Sequence, residues 1–139
     1  MEPLKVKQQI ADIDKFYKEM SGDGTAFSCL LMGTFGAGKT RCACTGRLPI
    51  LVDIFDPRGN VIFQTEPYLK QMVAEKKIKL RPFWMEDSQN PTEYKRWQTQ
   101  WQEDCKSGFL SLFGSYVMDS GTSWLEAMAN YISRTKGGK

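Results

Sequence analysis

The consecutive residues Gly33-Thr34-Phe35-Gly36-Ala37-Gly38-Lys39-Thr40 meet every requirement of the pattern G-x-x-x-x-G-K-[ST]. The chemistry that needs these residue types is the holding of a triphosphate. Its oxygens call for many N–H donors at close range, and side chains on the loop would keep the backbone away. Glycine at 33, 36 and 38 permits that approach and the dihedrals of an anion-cradling nest. Lys39 adds a full charge at the β and γ phosphates, and the Thr40 hydroxyl suits a Mg²⁺ ion. A helix that starts here points its positive end at the phosphates. Thr34, Phe35, Ala37 and Arg41 complete the stretch expected to line the nucleotide.

Such a loop works with carboxylates on neighbouring strands. Asp119 closes the run Tyr116-Val117-Met118 and is followed by small polar residues, which fits the second magnesium-side acid. Asp53 and Asp56 fall at the C-terminal end of another apolar strand, the edge where open α/β sheets bind ligands. Both are candidates for the group that orients or deprotonates water. Asp53 interrupts an apolar run, so if it is buried it needs a partner. Asp56 also suits the start of an Asp-Pro-Arg-Gly turn, and Glu66 is a weaker third candidate.

The elements that must position these residues follow from periodicity. Apolar residues at Val6, Ile10, Ile13, Tyr17 and Met20 predict an amphipathic helix over Lys5 to Met20, ended by Ser21-Gly22-Asp23-Gly24. Phe27 to Met32 reads as a short buried strand and Lys39 to Gly46 as a helix. Strands are expected at Pro49 to Asp56, Lys79 to Met85 and Ser115 to Asp119, with a helix over Glu66 to Glu75. Asn90-Pro91-Thr92-Glu93 reads as a helix start with Asn as cap, continuing through Tyr94, Trp97, Trp101 and Cys105 to Gly108. Ser123-Trp124-Leu125-Glu126 reads as a capping box that opens the last helix. This alternation implies a three-layer α/β/α sandwich with a mainly parallel sheet of at least four strands. Residues 1–24 form an N-terminal helix and turn, and residues 25–139 the core.

Composition sets the bounds. A chain of 139 residues with 41% hydrophobic and 25% charged residues is an ordinary globular domain. Its apolar runs are too short to cross a bilayer, and its first residues lack a secretory signal, so the expected location is the cytoplasm. The net charge of +3 permits nucleic-acid contact without arguing for it. Four cysteines and no histidine make neither a disulfide framework nor a zinc site. Lys76-Lys77-Ile78-Lys79-Leu80-Arg81 and the group Arg134, Lys136 and Lys139 are basic, and Trp84, Trp97, Trp101 and Trp124 offer aromatic faces for stacking on bases. The plainer reading is solvated lysines and core tryptophans.

The motif Gly33 to Thr40, with Ile54-Phe55-Asp56-Pro57-Arg58-Gly59 and Val117-Met118-Asp119-Ser120-Gly121-Thr122-Ser123, resembles the phage-encoded RecA-like AAA-type P-loop ATPases. Some of these are linked to single-strand annealing and recombination. The resemblance covers about residues 27–134, and only its first motif is highly specific. It implies a RecA-like core that binds ATP and Mg²⁺, with Lys39 and Thr40 at the phosphates and metal and Asp119 as the Walker B acid. It places Asp56 near the catalytic-acid region, and single-stranded DNA or a DNA-processing protein among the partners. RecA-like cores usually continue past the Walker B helix, so this chain is expected to be a fragment, a minimal version or a subunit completed by a partner. The sheet edge beside the P-loop strand would be covered by the N-terminal helix or by a second copy. Two other classes stay open. A small nucleotide or nucleoside kinase shares the loop, and a non-catalytic module would use nucleotide for stability alone.

Overall fold

The computed structural model describes residues 11–12 and 28–136. The chain divides into two compact units, Met1–Met32 and Gly33–Lys139. In the first, residues 28–32 are exposed and form neither helix nor strand. The buried strand expected over Phe27 to Met32 is therefore not formed there, and Phe27 itself lies outside the described residues. An apolar run becomes a strand only by pairing with a neighbour, which short-range pattern does not specify. Of the expected helix Lys5 to Met20, only residues 11–12 are described, and both are helical.

In the second unit the elements run α1 (Lys39–Ala43), β1 (Ile50–Ile54), α2 (Val61–Thr65), α3 (Pro67–Ala74), β2 (Ile78–Pro82), α4 (Glu93–Ser107), a 3₁₀ turn (Phe109–Leu112), β3 (Ser115–Asp119) and α5 (Gly121–Lys136). Three parallel strands in the order β2-β1-β3 make a small open sheet. The α/β class and the parallel pairing agree with the sequence reading. The described residues supply three strands, not the four or more expected.

The central strand explains the rest. Ile50, Leu51, Val52, Asp53 and Ile54 are all fully buried, as a strand covered on both faces must be. Side chains alternate across it. Ile50, Val52 and Ile54 meet Cys44, Phe63, Leu69 and Ile78 on one face. On the other, Phe55 packs with Phe83, Trp97 and Ala127. Helices thus cover both faces: α2 and α3 on the first, α4 and α5 on the second. Burying each such aliphatic side chain contributes about 1.5–3 kcal/mol. Trp84 packs against the first core, and Trp97, Trp101 and Trp124 belong to the second, in line with their reading as core residues.

Local signals located most boundaries. Gly108 ends α4 at φ 75°, a left-handed value that favours glycine. Glu66 caps α3 by accepting from the Leu69 N–H at 2.7 Å. Two caps differ from expectation. Helix α4 begins at Glu93 with Thr92, not Asn90, in the cap position. Helix α5 begins at Gly121, and the Ser120 hydroxyl accepts from the Ser123 N–H at 3.3 Å, so Ser120 takes the capping role given to Ser123. The sequence Val61-Ile62-Phe63-Gln64-Thr65 has strand-like composition but folds as helix α2, because a turn follows β1 and Phe63 must reach the core. Among the described residues no helix is long and apolar enough to cross a membrane.

Candidate functional site

The glycine-rich loop has the backbone its composition calls for. Gly36 and Gly38 adopt φ 78° and 82°, left-handed values that an L side chain would strain. A Cβ on Gly33 would come within 3.3 Å of the Ala37 Cβ. The loop closes on itself through the Ala37 N–H donating to the Thr34 carbonyl at 3.2 Å. The Lys39 ammonium donates to the carbonyls of Gly33 at 2.8 Å and Thr34 at 2.7 Å. Its charge is thus held directly over the loop. Helix α1 spans only Lys39–Ala43, shorter than the expected run to Gly46, so N–H donors and the lysine outweigh any helix dipole here.

The register of the sheet then brings a distant acid to this loop. Asp119 is the last residue of β3 and pairs with Ile54 of β1, so it stands at the C-terminal edge. The Phe55 N–H donates to the Asp119 carbonyl at 2.7 Å, which fixes that corner, and the Asp119–Ser120 peptide bond is cis. The Thr40 hydroxyl donates to the Asp119 carboxylate at 2.7 Å across 79 residues of sequence. The two residues read as magnesium ligands are therefore neighbours. Both present hard oxygen donors, the kind Mg²⁺ prefers. Among the described residues no three His, Cys, Asp or Glu side chains converge as a metal cage. The nearby Cys44 thiol is pushed up to about 12, by burial first and then by the Asp119 charge.

No family model, curated protein or solved structure matches this chain.

The two catalytic candidates separate. Asp56 is half-buried just past β1, with its N–H 3.5 Å from the Asp119 carbonyl. One carboxylate oxygen accepts from the Arg58 N–H at 2.9 Å, so it also makes the expected turn. A cavity of about 240 Å³ opens at this edge, lined by Phe55 and Pro57 on either side of Asp56 and by Glu86, Ser123, Glu126 and Asn130. Asp53 does not fit a catalytic role. It is fully buried, and Arg81 grips it with Nε at 2.6 Å and Nη2 at 2.9 Å. The Trp97 indole donates to it at 3.1 Å and the Tyr116 hydroxyl at 2.8 Å. A carboxylate so satisfied has no room for water. The partner expected for a buried Asp53 is Arg81.

Sequence reasoning missed what surrounds these residues. Arg81 lies within a basic cluster of the sequence, yet it pairs with Asp53 and Asp104 and serves the interior. Burial pulls its pKa down, but the hydrogen bonds it donates to Asp53 and Asp104 more than offset this and hold it above its usual value. Of the rest of that cluster, Lys77 pairs with Glu75 at 2.6 Å and Lys79 lies 5.8 Å from the Phe109 ring. Arg41, expected at the nucleotide, pairs with Glu66 and lies over Tyr68. The β1–β2 register, Asp53 opposite Arg81, was the signal for the buried pair, and it is invisible before the strands are aligned. A larger cavity, about 570 Å³, lies along α4 and Tyr131 and contains none of the motif residues.

Proposed function

We propose that this chain binds a nucleoside triphosphate, ATP in the first instance, together with Mg²⁺, and acts as a RecA-like ATPase in a DNA transaction such as recombination. The observation that carries this reading is the Thr40–Asp119 hydrogen bond at 2.7 Å. A chance glycine-rich turn has no reason to place its threonine against an acid at the tip of a parallel strand. In the bound state the loop N–H groups and Lys39 hold the phosphates, while Thr40 and Asp119 exchange their mutual hydrogen bond for the metal and its waters. The ion supplies charge neutralisation at the β and γ phosphates. Asp56, beside Asp119 at the same edge, is the group we assign to orient the attacking water. The DNA-directed part of the proposal rests on the resemblance of the three motifs, since the tryptophans serve the cores.

Asp119→Asn tests the metal half. The amide keeps the shape and can still accept from Thr40, so the fold should be retained. A neutral oxygen is a poorer ligand for a hard cation, and the Mg²⁺ concentration for half-maximal ATP binding should rise at least tenfold, about 1.4 kcal/mol. Calorimetric titration of ATP at stepped Mg²⁺ reads this directly. A Mg²⁺ response equal to that of the parent would place the acid elsewhere.

A further inference from the structure

Arg41 follows the proposed metal ligand Thr40 directly, and one step along a helix turns a side chain by about 100°. It therefore leaves the Asp119 side of the loop. Its guanidinium carbon sits over the Tyr68 ring, 3.9 Å from the centroid, close enough for a cation–π contact. Nη1 donates to Glu66 Oε1, while Glu66 Oε2 accepts from the Leu69 N–H at 2.7 Å. The Tyr68 hydroxyl donates to the Cys44 carbonyl at 3.4 Å, which ties the ring to the end of α1. The guanidinium is thus held over a ring and against a carboxylate that is itself fixed. The Arg41 side chain is still 42% exposed.

A planar cation held over a ring and still partly exposed offers a stacking surface for an aromatic heterocycle. Its charge is already matched by Glu66, which makes it a poor phosphate clamp. Lys39 and Thr40 occupy the β and γ end of the site, so the side to which Arg41 turns is left for the nucleoside. We propose that Arg41 receives the purine base of the bound nucleotide on its guanidinium plane, with Tyr68 and Glu66 as positioning residues. This rests on the triphosphate reading of the loop. Stacking uses the π-face that every purine has, so the platform does not by itself separate adenine from guanine.

The test compares Mg²⁺-ATP with Mg²⁺-tripolyphosphate, which has the phosphates and no base, by calorimetry on the full chain. Arg41→Ala should weaken ATP at least tenfold and tripolyphosphate less than twofold. Arg41→Lys keeps the charge and can still pair with Glu66, so a purely structural role would be rescued; loss of the plane should instead leave ATP as weak as in Arg41→Ala. Tyr68→Phe should bind ATP like the parent, and Tyr68→Ala should not. Equal losses for both ligands would make Arg41 a phosphate contact and overturn the inference, as would unchanged ATP affinity. If the parent chain binds neither ligand, the loop reading falls and the base site with it.

Discussion

Arg81→Leu should cost about 3–5 kcal/mol of folding stability, because it leaves two buried carboxylates without their cation. Asp53 is completely buried and the Asp104 side chain is 4% exposed, so solvent cannot take over the role of the guanidinium. Trp97 and Tyr116 would still donate to Asp53, but as neutral groups they cannot balance its charge. Tyr116 shows the stress of that environment: burial first, and then the Asp53 charge, hold its hydroxyl above the usual tyrosine range. A domain of this kind has only about 5–15 kcal/mol in total, so the variant should lose a large share of its stability. Urea denaturation followed by tryptophan fluorescence reads the loss as a lower midpoint. Asp53→Leu added to Arg81→Leu should recover part of it, since a well-packed apolar pair replaces a buried ion pair at little cost. A cost below about 1 kcal/mol for Arg81→Leu would show that the network contributes nothing, and Asp53 would return as a candidate for chemistry.

Lys39→Ala should weaken ATP binding at least tenfold, about 1.4 kcal/mol, with little change in the empty protein. In the structure its ammonium is held by two carbonyls of its own loop, at 2.8 and 2.7 Å. Those bonds are exposed and to neutral acceptors, so their loss should cost no more than about 1 kcal/mol of stability. A triphosphate offers the same ammonium charged oxygens, which make stronger hydrogen bonds than a carbonyl does. The variant separates the two quantities: melting without ligand should stay close to the parent, while the rise in melting temperature with Mg²⁺-ATP should shrink. An unchanged ligand-induced rise would sink the nucleotide reading of Gly33 to Thr40.

The residues whose roles were legible in the sequence are those set by local backbone demands. Gly36 and Gly38 are glycine because their φ values of 78° and 82° are costly for anything else, and such a need leaves a mark at the position itself. The same is true of Gly108 at the end of α4 and of Asp56 in its turn. Strands β1 and β3 were legible because each is an apolar run closed by acids or turn residues. What residues do to one another across the sheet was not legible. Asp53 and Asp56 are three positions apart on the same strand end, and only the β1–β2 register, which sets Arg81 opposite Asp53, makes one a buried ion-pair partner and leaves the other at the edge. Phe27 to Met32 is an apolar run like Ile50 to Ile54, yet residues 28–32 form no strand. Composition records how well a segment would bury; the partner that buries it comes from elsewhere in the chain. Thr40 and Asp119 were each named as metal ligands from motif alone, but their 2.7 Å contact is a product of the parallel β1–β3 pairing, which carries the end of one strand to the loop 79 residues before it.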